Sequence, residues 1–253
     1  MLEVDQQPDV ITVTFAHGKV SALDVELLWA VTERFRGLAA DPRPVVLTGQ
    51  GRIFSAGVDL LRLVDGGPDY VRAFMPALSD AFMAVFEHPA PVVAAINGHA
   101  LAGGCIFAAA CDVRIASDGP QTLGVTELLV GVPFPAAPLE IMRHAIGDPA
   151  ASHLVFTGRR VDVAEAQRIG LVHEVVAAEA LLTTAQERAR DLGALARPAY
   201  RLAKEQLRRE SVDRITHGRA NTDPAVNDIW ESTEVADGIR AYLQSLKQRA
   251  SSA

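Results

Sequence analysis

Two short segments of this 253-residue chain combine small residues with exposed main chain in a way that suits the capture of negative charge. The first is Ile53-Phe-Ser-Ala-Gly-Val-Asp59 and the second is Gly98-His-Ala-Leu-Ala-Gly-Gly-Cys105. Each reads as a strand running into a turn whose small side chains let a ligand approach the backbone closely. The second turn feeds Cys105-Ile-Phe-Ala-Ala-Ala-Cys111, a small apolar run that suits a buried helix. Unpaired N–H groups at the start of a helix, aided by its dipole, stabilise a developing anion. Two such donors converging on one point would make an oxyanion hole. Tight packing alone would favour the same residues, so the turns by themselves leave both readings open.

Other chemistries fare worse. Gly49-Gln-Gly51-Arg-Ile-Phe54 begins like a dinucleotide fingerprint but carries Phe54 where a third glycine belongs. Ser55 does not sit in a G-x-S-x-G elbow, since Ile53 takes the first glycine position. There is no Walker A or HExxH motif, and the seven histidines show no metal-ligand spacing, so no metal site is expected.

The elements that must position the turns follow from hydrophobic periodicity. Asp9–Phe15 alternates like a half-buried strand. From Asp24, an N-cap candidate, Leu27, Leu28, Val31, Phe35 and Leu38 form one helical stripe, with Glu33, Arg34 and Arg36 off it. Pro44–Thr48, Val92–Ile96 and Asp112–Ala116 read as short buried strands. Tyr70–Phe86 reads as a helix broken near Pro76. Helical patterns follow over 137–146, 150–156, 162–169, 178–195, 197–210 and 234–249, with a strand near 171–176. Strands and helices alternate early and helices dominate late, which predicts an α/β core over 1–195 and a helical region over 196–253. No internal repeat is visible in the residues themselves.

Composition narrows the partners. Apolar residues make up 49 % and charged residues 22 %, the net charge is −7, and no apolar run is long enough for a membrane span. The acidic balance argues against nucleic acid. The acidic N-terminus lacks the features of a signal or transit peptide, and Cys105 and Cys111 read as reduced and buried, so a cytoplasmic location is expected.

The two turns also carry a resemblance. Phe54-Ser-Ala-Gly-Val-Asp-Leu60 and Ile96-Asn-Gly-His-Ala-Leu-Ala-Gly-Gly-Cys105 closely resemble the crotonase superfamily, the enoyl-CoA hydratase/isomerase family. The likeness continues, in order, through Ala110–Arg114, Thr157–Ala166, Gly170–Val176 and Asp237–Leu243. It implies a spiral of repeated ββα units, C-terminal helices that help build a homotrimer or hexamer, and acyl-CoA thioester substrates with no further cofactor. By motif position, the oxyanion donors would be the N–H groups of Val58 and Gly103. Ala56, Gly57, Leu61, Gly104, Ile106 and Phe134 would line the substrate site.

Family hydratases use two glutamates. Here the first position is Ile106 and the second is Glu127, in Gly124-Val-Thr-Glu-Leu-Leu-Val-Gly131. Isoleucine can neither accept nor donate a proton, and losing a general acid/base group typically costs ~10²–10⁴ in rate. A single carboxylate suits proton transfer between two carbons, so the resemblance points to a shift of a 3-enoyl-CoA double bond to the 2-position. Ile106, Leu128 and Leu129, where they approach Glu127, would raise its pKa towards neutrality. A hydratase with atypical acid/base residues and a non-catalytic acyl-CoA-binding protein are the alternatives. Glu140 is a candidate second acid, although a position facing solvent or another subunit fits it better. His99 is a candidate pocket wall. Arg62 stands near a position where many relatives have a lysine for the CoA phosphates; Lys247 and Arg249 are candidates to reach them from a neighbouring subunit, although a solvated helix end fits them better. Asp59 and Asp112 read as structural, bonding nearby main-chain N–H groups.

Overall fold

The computed structural model describes the backbone of residues 1–251, and side chains through Leu246 together with Gln248. Lys247 and Arg249 therefore lie outside the described side chains. The chain opens with an antiparallel ribbon of β1 (Leu2–Gln6) and β2 (Ile11–Phe15). From β2 onward one motif recurs: strand, short strand, helix. β2 leads through β3 (Ala22–Leu23) to α1 (Val25–Leu38). β4 (Val45–Gly49) leads through β5 (Ile53–Ser55) and β6 (Gly57–Val58) to α2 (Leu60–Phe86). β7 (Val92–Ile96) leads through β8 (His99–Leu101) to α3 (Gly103–Ala110). β9 (Val113–Ser117) leads through β10 (Thr122–Gly124) and a 3-10 turn, Glu127–Val130, to α4 (Ala136–Thr157). β11 (Val161–Asp162), α5 (Val163–Arg168), β12 (Glu174–Val176) and α6 (Leu181–Gly193) complete the core, and α7 (Arg197–Asn221), α8 (Asp223–Trp230) and α9 (Thr233–Ser251) follow.

The first strands of the repeats lie side by side in a six-stranded sheet of order β1-β2-β4-β7-β9-β12, parallel throughout except for β1 and β2. The second strands form a smaller sheet, β11-β10-β8-β5, and β3 pairs with β6. This is the ββα spiral that the resemblance implied. The large sheet is buried on both faces: Val45, Leu47, Ala94 and Ile96 meet the main core, while Val46, Val93, Ala95 and Ile115 pack under Leu181, Ala185 and Ala189 of α6. Burial on both sides is why these strands read as unbroken apolar runs with no alternation.

Several boundaries differ from expectation. β1 was not expected, nor were β3, β10 and β11, whose two or three residues are too short to show a period. The helix expected from Tyr70 begins at Leu60, capped by Asp59, and its break falls at Gly67 (φ 64°), with Pro76 inside a continuous stretch. Pro68 opens the second segment, where its missing N–H costs nothing. The helices expected over 137–146 and 150–156 are one element interrupted at Gly147, α7 runs on to Asn221, and α8 was not expected.

The C-terminal helices are tied to the core by buried charge. Asp112, just before β9, accepts hydrogen bonds from Val92 N (2.7 Å) and Lys204 Nζ (2.8 Å) and pairs with Arg208 Nη2 (2.8 Å). Burial alone would raise the Asp112 carboxyl, but the two α7 cations outweigh it and hold it below the usual carboxylate range. Removing the charge leaves both cations buried without their counter-ion. Asp112→Asn should therefore cost about 3–5 kcal/mol, read as a lowered urea midpoint.

Candidate active site

Three pieces of main chain meet at the two turns singled out above. β6 pairs only with β3, with Ala22 opposite Gly57 and Leu23 opposite Val58. Asp59 N donates to Leu23 O (2.9 Å), and successive N–H groups of a strand point to opposite sides. The Val58 N–H is thus turned away from β3, onto an edge no strand covers. Gly57 (φ 86°) presses against the second turn: a Cβ there would lie 2.7 Å from Ala102 Cβ, 2.8 Å from Leu101 O and 3.3 Å from Gly103 N. Only glycine tolerates both the conformation and the contact.

Gly103 is the first residue of α3, so its N–H has no acceptor within the helix. Its direction is set by Ala102, whose φ of 48° and ψ of −126° are strained for a residue with a Cβ. The strain is held on both sides. Ala102 N donates to Gly124 O (2.8 Å), and Ala102 O accepts from Cys105 N (2.8 Å) and Ile106 N (3.2 Å). The bond to Gly124 also fastens β10 to the turn, three residues before Glu127.

Glu127 opens the 3-10 turn and is only 9 % exposed. Its Oε2 is buried with no hydrogen-bond partner among the described residues. Burial pushes the carboxyl up to about 7, against the pull of the N–H groups of Glu127 itself and Thr126. No charged side chain contributes to the shift. Glu127 also lies close enough to α3 for its charge to add to burial in pushing the Cys105 thiol up to about 12. Ile106, one residue further along α3, is fully buried in the apolar core. Leu128 and Leu129 do not dry the carboxylate as expected; they are 40 % and 57 % exposed, and Leu129 packs on Gly158.

The remaining candidates divide. Ala56 and Gly104 lie in the two turns, with Gly104 against Ser55, and Phe134 is buried in the main core. Leu61 is half exposed at the start of α2. Arg62 is committed within the chain: it pairs with Glu26 through both terminal nitrogens (2.7 and 2.8 Å), reaches Asp24 (2.8 Å) and lies over the Tyr70 ring. His99 is turned to Thr122, accepting from its N–H at Nδ1 (3.1 Å), and lines a separate cavity of 310 Å³ with Arg52, Asn97 and Asp118. Glu140 does not face solvent. It is buried and paired with Arg143 (2.7 Å) and Arg214 (2.5 Å), which leaves it no part in proton transfer. Asp59 caps α2 by accepting from Arg62 N. Among the described residues no group of three His, Cys, Asp or Glu side chains could hold a metal, and no helix is long and apolar enough to cross a membrane.

The family model for enoyl-CoA hydratase/isomerase matches residues 5–250. The chain belongs to the enoyl-CoA hydratase/isomerase family. A Mycobacterium tuberculosis protein named a probable enoyl-CoA hydratase is 31 % identical over 250 residues, covering 96 % of this chain and 94 % of the relative. Human mitochondrial enoyl-CoA delta isomerase 1 is 28 % identical over 253 residues, covering 98 % and 83 %. The crystal structure of human mitochondrial Δ3-Δ2-enoyl-CoA isomerase superposes with a TM-score of 0.92 at 26 % identity, covering 98 % of each chain. The chain is thus an enzyme of a family whose members bear both hydratase and isomerase names.

The raised Glu127 carboxyl has a consequence for stability. The folded protein holds this proton up to about pH 7, while the unfolded chain releases it near the ordinary glutamate value of 4.5. Between those values the unfolded state binds fewer protons, so this residue's contribution to stability falls as pH rises, then levels off above 7. Glu127→Gln should therefore stabilise the fold at pH 8, by on the order of 3 kcal/mol, with the advantage vanishing towards pH 4.5. Denaturant midpoints of both proteins across that range check it.

Proposed function

We propose that this enzyme moves the double bond of a 3-enoyl-CoA to the 2-position, with Glu127 as the sole proton carrier and the Val58 and Gly103 N–H groups as oxyanion donors. The observation that supports it best is the solitude of Glu127: no charged side chain perturbs it, and Ile106 stands where a second carboxylate would be. The thioester oxygen sits between the two main-chain donors, which makes the C2 protons acidic. The Glu127 carboxylate takes one of them, and the electron pair spreads over a dienolate whose oxygen the donors stabilise. The protonated Glu127 then gives its proton to C4, the C2–C3 double bond forms, and the carboxylate is restored. A group with pKa near 7 is well matched to both halves of this exchange. Loss of either donor would cost ~10²–10³ in rate.

A second reading, hydration of a 2-enoyl-CoA, is favoured by the names of several relatives. It needs water held and deprotonated on one face while C2 is protonated, and the site supplies one carboxylate for that work.

The test is incubation with a medium-chain 3-enoyl-CoA and, separately, a 2-enoyl-CoA, following conjugated enoyl absorbance and product mass. The 3-enoyl substrate should become conjugated, and Glu127→Gln should lower that rate at least ~10²-fold. Rapid gain of water by the 2-enoyl substrate would favour the hydratase reading, and binding without turnover of either would favour a non-catalytic acyl-CoA protein. Because the base works ionised, kcat/KM should rise with pH through about 7 and fall tenfold per unit well below it.

A further inference from the structure

We propose that Ser55 is a positioning residue for the oxyanion hole: its buried hydroxyl holds the Ala56–Gly57 peptide and so anchors one end of the next peptide, which carries the Val58 N–H. The proposal rests on the reading of Val58 as a donor and adds the part that aims it.

The Gly57–Val58 peptide is flanked by a residue with no Cβ, so local sterics do little to hold its direction. The structure anchors it at both ends. Upstream, Gly57 N donates to Ser55 Oγ (3.2 Å), and that hydroxyl donates to Ser21 O (2.7 Å). Downstream, Asp59 N donates to Leu23 O (2.9 Å), and just before the turn Ala56 N donates to Val20 O (3.0 Å). The segment 20–23 is therefore a cradle for residues 55–59, and Ser55 supplies its one side-chain rung. Ser55 is fully buried, with Gly104 packed against its backbone and Cβ, so the hydroxyl has no water to turn to.

Ser21 adds an independent sign. It holds φ 46°, a conformation that a residue with a Cβ adopts at a cost, and its own hydroxyl donates to Phe15 O (3.1 Å). The strained residue is the one whose carbonyl takes the Ser55 proton. Ser21 and Ala102 are the non-glycine residues with positive φ among the described residues, and each is bonded to one of the two donor turns. Strain held in place by surrounding bonds at both donors is what preorganisation looks like in a backbone.

The test uses the intact enzyme with a saturated acyl-CoA labelled with ¹³C at the thioester carbonyl, which binds without reacting. Isotope-edited infrared difference spectra report how strongly the hole polarises that carbonyl, whatever reaction the enzyme catalyses. The wild-type protein should move the band to lower wavenumber. Ser55→Ala should lose most of that shift while acyl-CoA affinity stays within about threefold, and kcat should fall ~10–100-fold, the scale of a misplaced reacting group. Its pH midpoint, set by Glu127, should not move. Ser55→Cys keeps the size and a weak hydrogen-bonding atom, so it should lie between the two, and it carries the test alone if the alanine variant does not fold.

A full band shift and near wild-type kcat in either variant overturns the proposal. So does a loss of kcat that only tracks a lower melting temperature while the band stays put. Absence of any shift in the wild-type protein overturns the oxyanion reading itself, separately from the role of Ser55.

Discussion

The close approach of Gly57 to residues 101–103 is the constraint on which the site depends. Two turns from different repeats come within van der Waals contact here, and the proposed pair of main-chain donors requires it. A Cβ on Gly57 would lie 2.8 Å from Leu101 O and 3.3 Å from Gly103 N, so any side chain would push the two turns apart. The rest of the core is arranged to allow this contact. β3 holds the first turn from one side, the Ala102–Gly124 bond holds the second from the other, and Gly104 brings α3 down onto Ser55. The spiral of ββα units supplies the geometry, because consecutive second strands stack in one small sheet and carry their following turns to the same end.

Two buried carboxylates show how this fold assigns roles by surroundings. Asp112 and Glu127 both pay for desolvation, yet their protons behave in opposite ways. Asp112 has Lys204 and Arg208 at 2.8 Å and a main-chain donor in Val92, so it stays ionised and ties α7 to the sheet. Among the described residues Glu127 has no cation beside it and its buried Oε2 has no hydrogen-bond partner, so its pKa rises into the range useful for moving protons. Glu140 is likewise tied into the fold, by ion pairs with Arg143 and Arg214. An acid that is buried and fully paired is structural; one that is buried and left alone is available for chemistry.

Much of this was legible in the chain, and the exceptions have physical causes. The α1 stripe and the strands at 45–49, 92–96 and 113–117 follow from burial patterns that local sequence records directly. The ββα repeat leaves no such record in the residues, because its units share a path but not a length: α2 spans 27 residues and α3 spans 8. The second strands have two or three residues, held by neighbours distant in sequence, and no period can show in so few. At the site, the glycines and Glu127 were legible through motif position. What was hidden depends on contacts across the fold. Arg62 looks free until Asp24 and Glu26 are seen beside it, and Glu140 looks exposed until α7 covers it. Ser55 reads as an ordinary small turn residue because its partner, Ser21 O, lies 34 positions away.

The division of labour between main chain and side chain explains why overall likeness does not choose the reaction. The two proposed oxyanion donors are backbone groups, so they persist wherever the turns keep their shape, whatever the residue at position 58. On that proposal, hydration and isomerisation differ in the number of carboxylates that reach the carbons next to the thioester, and here that number turns on position 106. A relative 31 % identical and named a hydratase, and a structure at TM-score 0.92 named an isomerase, therefore constrain the scaffold far more tightly than the chemistry. In this chain the α3 position at which the resemblance implies a second acid is filled by Ile106, fully buried in the apolar core, and that single substitution is what the proposed isomerase reading turns on.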